Sequence, residues 1–323
     1  MESINEIENM PKKTPTGKEV PAPKFVCYVG DVHGSDDFPD FVKRTVSKYP
    51  DVKFVTLGDY FDRGFASARV AETLIKLRSE GRLDVPVFGN HDAFFLYGSK
   101  LIDKVGISLD GKGNFMKIQE LMKTAEALLR MNGGEATEDS FRSSAKAAKT
   151  ATTFAKFIAK KGRVFVKVPE TGALAVHGGI PIWTDGTPFV FPAKDGRLVM
   201  DGGEYDSTLS GMGVLEACDE GFRNGELWAA SFLTGLRPEN VFLMRVAELT
   251  AEASGGKSDP RDIYGALTED HPRHIVPTWY DNSLYDSNPK VAGTLRKLLD
   301  DAGFDHIACG HWRNDPETAE GYA

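Results

Sequence analysis

Gly58-Asp59-Tyr60-Phe61-Asp62-Arg63-Gly64, directly after the apolar run Phe54-Val55-Thr56-Leu57, is the stretch that decides the architecture. It reads as a strand that stops at a glycine and at potential metal ligands, and the pattern recurs on both sides. Phe25–Val29 runs into Gly30-Asp31-Val32-His33-Gly34, and Val85-Pro86-Val87-Phe88 runs into Gly89-Asn90-His91-Asp92. Further on, Ala173–Val176 meets His177-Gly178-Gly179, and His306–Cys309 meets Gly310-His311-Trp312. Open α/β sheets bind ligands just beyond the carboxyl ends of their strands, and glycine lets the backbone turn there without a Cβ clash.

The residue types point to a metal centre. Asp and neutral His supply oxygen and nitrogen ligands to borderline divalent metals, and a carboxylate can bridge two ions. Paired ions about 3.5–4 Å apart clamp both sides of an in-line phosphoryl displacement. Each piece alone is weak: Gly89-Asn90-His91-Asp92 can be a turn and His177 a core histidine. Jointly they put four of the seven histidines, His33, His91, His177 and His311, at strand ends. The steps from Asp31 to Asp59 and from Asp59 to Asn90 each suit one β-α-β unit of roughly 30 residues.

These motifs resemble the signature of the calcineurin-like metallophosphoesterases, and more narrowly of their phosphoprotein phosphatase branch. The resemblance covers residues 24–102, 163–183 and 277–312. Asp62-Arg63-Gly64 is its most specific element, and Arg313 stands where many diesterases of the superfamily have a further His. The resemblance implies a four-layer α/β/β/α sandwich with a dinuclear metal site at strand C-terminal ends. It also implies a single catalytic domain over residues 24–323, with insertions at about 98–165 and 185–275.

It implies residue roles as well. Asp31 and His33 hold the first of two divalent ions (Mn, Fe or Zn, with Mn expected in assays), Asp59 bridges both, and Asn90, His177 and His311 hold the second. His91 is the general acid, oriented by Asp62; a His⁺–carboxylate pair suits acid catalysis near neutral pH. Arg63 and Asn90 take the substrate phosphate, a planar guanidinium matching two oxygens. The alternative for Arg63 is a surface salt bridge. Asp92, where many relatives have Glu, supports the ligands. Two departures stand out. Pro277-Thr278-Trp279-Tyr280-Asp281-Asn282 has Asp where the family places a second phosphate-binding Arg, leaving Arg273 as the nearby substitute. Relatives also continue through further strands, so a clipped C-terminus is expected.

The activity implied is hydrolysis of phosphomonoesters by a metal-bridging hydroxide, Ser/Thr protein phosphatase-like. The substrate would be a phosphorylated protein or small molecule, with a regulatory protein as a candidate partner. Hydrolysis of diadenosine polyphosphates, nucleoside polyphosphates or RNA caps stays open. So does a scaffold that has lost turnover, although no ligand is lost.

Composition bounds the rest. At 323 residues and 41% hydrophobic content, the chain can bury a large core. A net charge of −8 and a pI near 5.5 argue against nucleic-acid binding, RNA-cap substrates aside. Cys27, Cys218 and Cys309 make no disulfide framework and fit a reducing compartment. Residues 1–23 are polar, lack a secretory apolar core and are expected to be disordered. No segment approaches the roughly 20 apolar residues of a membrane span, so a cytoplasmic protein is expected.

Phe115, Met116, Ile118, Leu121, Met122, Ala125, Leu128 and Leu129 recur every three or four residues, predicting a helix ended by Asn132-Gly133-Gly134. A second helix is expected over about 140–160, with Phe141, Phe154, Phe157 and Ile158 as its apolar contacts. The pair reads equally as a substrate-selecting cap and as a structural insertion. Further helices are expected over 238–253 and 291–302, the latter stopped by Gly303. Residues 254–260 lack the phosphate-loop spacing and read as a plain loop.

Overall fold

A computed structural model describes residues 25–99, 115–199, 204–234, 277–278, 280 and 282–311. The expectations for residues 1–23, 238–253 and 254–260, and for Asp281 and Arg313, lie outside the described residues. In chain order the elements are β1 (Phe25–Val29), α1 (Phe38–Lys48), β2 (Val52–Thr56), α2 (Ser67–Ser79), α3 (Asn90–Gly98), α4 (Phe115–Met131), α5 (Gly134–Arg142) and α6 (Ala145–Lys161). There follow β3 (Phe165–Val168), β4 (Ala173–Val176), β5 (Phe191–Lys194), β6 (Arg197–Leu198), β7 (Ser207–Leu209), α7 (Met212–Arg223), α8 (Leu227–Leu233), α9 (Leu284–Ser287), α10 (Pro289–Ala302) and β8 (His306–Cys309).

β1 pairs in parallel with β2, Cys27 opposite Phe54. β4 lies antiparallel to β3 and parallel to β8, and β5 carries β6 and β7 in a small antiparallel sheet. Side chains alternate along a strand, and here the two sets enter different cores. Val26 and Tyr28 of β1, Val55 of β2, Val166 and Val168 of β3, Ala173 and Ala175 of β4 and Ala308 of β8 meet in one cluster. Their neighbours Cys27, Val29, Phe54, Leu174, Val176, Ile307 and Cys309 join a larger cluster with the helices. The shared inner cluster shows the β1–β2 sheet packed face to face on β3–β4–β8. Helices lie over the outer faces, which is the α/β/β/α layering expected from the sequence.

Two expectations are corrected. Val85-Pro86-Val87-Phe88 forms no full strand: Val87 alone bridges Arg163, its N–H reaching Thr56 O at 3.3 Å. Pro86 has no N–H to donate, which breaks the ladder. The helix expected over 140–160 is two helices. α5 ends at Arg142, and α6 starts after Ser144, whose hydroxyl accepts the Ala147 N–H at 3.1 Å.

The buried face of α6, Ala147, Thr150, Ala151, Phe154, Ala155 and Ile158, keeps helical spacing. Phe61, from the loop after β2, meets Phe95 of α3, Phe141 of α5 and Phe154 of α6 edge-on, with ring centroids at 4.6, 5.3 and 5.0 Å. Helices α4 to α6 therefore share the main core with the motif loops. No helix among the described residues is long and apolar enough to cross a membrane.

Candidate metal centre

Asp31, His33, Asp59, Asp62, Arg63 and His311 all have φ between 44° and 73°, in the left-handed region. Such residues cost about 1–3 kcal/mol each and persist only where their surroundings hold them. Backbone bonds between the loops do so here. Asp31 N–H donates to Gly58 O (3.1 Å), His33 N–H to Asp59 O (3.0 Å) and Gly310 N–H to His177 O (2.8 Å). His311 N–H donates to Asp31 Oδ2 at 2.8 Å. Gly58, at φ 89°, allows a close approach: a Cβ there would lie 2.7 Å from Gly89 N and 2.9 Å from His177 Nδ1.

Asp92, in the first turn of α3, braces the loops that carry Asp59 and Asn90. Its carboxylate accepts the N–H groups of Asp59 (2.8 Å), Gly89 (2.9 Å) and Tyr60 (3.1 Å). Burial, with the Asp59 charge beside it, pushes its pKa up to about 7.

Asp59 lies at the centre. Its Oδ2 is 3.4 Å from His177 Nε2, 3.6 Å from His33 Nε2 and 3.9 Å from His91 Nε2, and its Oδ1 accepts the His91 N–H at 3.0 Å. Burial works against its charge, but the His177, His91 and His33 rings outweigh burial and hold it well below the usual carboxylate range. His33 Nδ1 donates to Phe61 O at 2.9 Å, and His177 Nδ1 to Leu57 O at 2.6 Å. Carbonyls only accept, so in the neutral rings both Nε2 atoms present lone pairs.

The lone pairs test whether a cation fits. His177 Nε2 lies 3.1 Å from Asn90 Oδ1 and 3.2 Å from His311 Nδ1. Acceptors crowded together need a proton or a cation among them. Burial lowers the His177 pKa, but Asp59, Asp31 and the Leu57 carbonyl more than offset it and raise it to about 9. A divalent ion would take that proton's place. Ligand atoms of His33, Asp59 and His91 fall within 4.8 Å of one another, as do those of Asp59, His177 and His311. Asp31 Oδ1 joins the first group, 3.8 Å from His33 Nε2. All six expected ligands converge, and their mixed nitrogen and oxygen donors suit a divalent metal.

His91 Nδ1 bonds Asp62 Oδ2 at 2.8 Å. Burial disfavours the charged ring, but Asp59 and Asp62 outweigh it and raise its pKa; burial also raises that of Asp62. The sequence did not show that His91 sits edge-on to His33, at 4.7 Å between centroids, within reach of the first donor group. Arg63 is exposed at the rim, and Arg273 lies outside the described residues. Among the described residues, Asn90 Nδ2 and Asp62 Oδ1 are buried without a hydrogen-bond partner, which leaves a donor and an acceptor for a bound group.

Three supports had no signal in the motif pattern. Thr137 Oγ1 accepts the Asp62 N–H at 2.9 Å, and Asn282 Nδ2 donates to Gly310 O at 2.6 Å. Tyr60 Oη donates to Val87 O at 2.7 Å. Tyr60 lies inside a quoted motif, but nothing there distinguishes it from a core aromatic.

A family model described as calcineurin-like phosphoesterase matches residues 26–313. Among solved structures, one titled as a mutant cold-active protein tyrosine phosphatase is similar at 17% identity with a TM-score of 0.41. The match covers 89% of this chain, which spans 65% of that one.

Proposed function

The chain belongs to the calcineurin-like phosphoesterase family, and from that premise we propose a metal-dependent phosphomonoesterase with a Ser/Thr protein phosphatase-like core. The observation that carries the reading is Asp59 shared between two donor groups, with the His91–Asp62 pair beside them. Two divalent ions bound there would neutralise charge on the phosphate and lower the pKa of an attacking water. Asp31 and His33 would hold one ion and Asn90, His177 and His311 the other, with Asp59 between them.

The chain's own residues do the rest. Arg63, which is exposed, takes two phosphate oxygens, and the Asn90 Nδ2–H, unpartnered among the described residues, takes another. Asp62 fixes the His91 ring by its Nδ1–H, leaving Nε2 to give its proton to the departing oxygen. The Asp62-Arg63-Gly64 sequence favours a phosphorylated protein as substrate, or a small phosphate monoester. The three free cysteines support a reducing, cytoplasmic setting.

Metal analysis, with parallel assays on a phosphopeptide, a diadenosine polyphosphate and a phosphodiester, tests the reading. Two metals per chain and fastest turnover of the phosphopeptide are expected. Fastest turnover of the dinucleotide would move the substrate to that class. Turnover of none, with metals bound, would overturn the enzyme.

A further inference from the structure

Asp62 and Arg63 are consecutive non-glycine residues with φ of 72° and 64°. Two strained residues in a row need support on both sides. On the motif side, Gly64 N–H donates to His33 O at 2.9 Å. On the other side the support comes from the helical insertion. Thr137 of α5, 1% exposed, accepts the Asp62 N–H at 2.9 Å and shares a second hydrogen bond with Ser67 Oγ at 2.9 Å. Gly133, at φ 92° between α4 and α5, lies so close that a Cβ would sit 2.9 Å from Arg63 N and 3.1 Å from Arg63 Cα. Ser140 Oγ then accepts the Ala68 N–H at 3.0 Å, tying α5 to the start of α2 just beyond the loop.

We infer that Thr137 is a positioning residue for the His91–Asp62 pair, and that the corner of the insertion around it aims this pair. The hydroxyl fixes the Asp62 backbone, the backbone places the carboxylate, and the carboxylate sets the imidazole at 2.8 Å. The inference rests on the reading of His91 as the proton donor. It turns the insertion from a neighbour of the site into one of its walls.

Thr137→Val keeps the shape and removes the hydroxyl, while Thr137→Ser keeps the hydroxyl. In Thr137→Val, kcat on an alkyl phosphate should fall roughly 10–100-fold, the range for losing an orienting partner. KM and metal content should stay at the parent level. The loss should be much smaller on an aryl phosphate, whose leaving group departs without a proton, and Thr137→Ser should restore most of the rate. The NMR resonance of the His91 Nδ1 proton should shift or vanish in Thr137→Val and return in Thr137→Ser. Should Thr137→Val not fold, Thr137→Cys, with its weak acceptor, should show the same selectivity to a smaller degree. Equal losses on both substrates, or an unchanged Nδ1 proton, would overturn the inference. If the parent hydrolyses no phosphoester, the proposed function fails, and the NMR comparison still decides the positioning.

Discussion

Asp59 and Asp62 belong to one loop, yet different parts of the molecule hold them. The Asp59 N–H is taken by Asp92, a residue of the neighbouring Gly89-Asn90-His91-Asp92 motif, whereas the Asp62 N–H is taken by Thr137, from helix α5 outside the motifs. Their electrostatics diverge too: the imidazoles beside Asp59 overcome burial and favour its charge, while burial dominates at Asp62 and disfavours it. The half around Asp59, proposed to hold metal, is thus braced by its own motifs, whereas the half around Asp62, proposed to donate the proton, also leans on α5, which carries no motif. Supports so separate should let the two halves fail separately.

The largest break should come at their shared centre. Asp59→Asn replaces a carboxylate facing three imidazoles with a neutral amide. Turnover should nearly vanish and metal content fall from the proposed two ions to one or fewer, read by metal analysis of purified protein. Full metal content with full activity would refute the bridging position. His91→Ala should divide the halves more cleanly. Metal should be retained while the rate falls roughly 10²–10⁴-fold, most for poor leaving groups. Loss of metal instead would place His91 among the ligands, with His33 and Asp59.

The two halves also differed in how far the sequence disclosed them. Candidate metal ligands come from few residue types and sit where strands end, so the convergence of Asp31, His33, Asp59, Asn90, His177 and His311 was legible. The strands that carry them were legible as apolar runs except at Pro86, whose missing N–H needed more weight than the apolarity around it. Thr137 was not legible. It lies in the polar stretch Gly134-Glu135-Ala136-Thr137-Glu138, where a threonine reads as helix surface, and its partner Asp62 is 75 positions away. The break between α5 and α6 was legible in principle, since Ser143-Ser144 offers a cap. The continuing run of Ala and Lys hid it.

Phe154→Ala attacks the helical half through its packing. The ring is fully buried, with Tyr60 and Phe61 edge-on at 5.5 and 5.0 Å. Its loss should destabilise the protein by about 3–5 kcal/mol, measured by urea unfolding. Because Phe61 adjoins Asp62, alkyl-phosphate turnover should weaken at denaturant concentrations where metal content is still intact. Simultaneous loss of metal and turnover would erase the distinction between the halves.

The smallest effect should come from Ser144→Ala. Ser144 opens α6 in extended conformation, and its hydroxyl accepts the Ala147 N–H at 3.1 Å. Alanine removes that acceptor, but Ser144 is exposed, so water can take over part of the bond. A cap of this kind contributes about 1 kcal/mol. The contacts that reach Asp62 and Arg63 come from Gly133 and Thr137, before α6 begins. Unfolding midpoints should therefore shift slightly, while the ratio of alkyl- to aryl-phosphate turnover and the metal content stay at the parent level. Ser144→Asp, which keeps a capping oxygen and adds a negative charge at the helix N-terminus, should recover the stability. A change in the alkyl-to-aryl ratio on losing this cap alone would mean that the whole insertion acts as one rigid support. The positioning role would then extend from the Thr137 corner to all of α6.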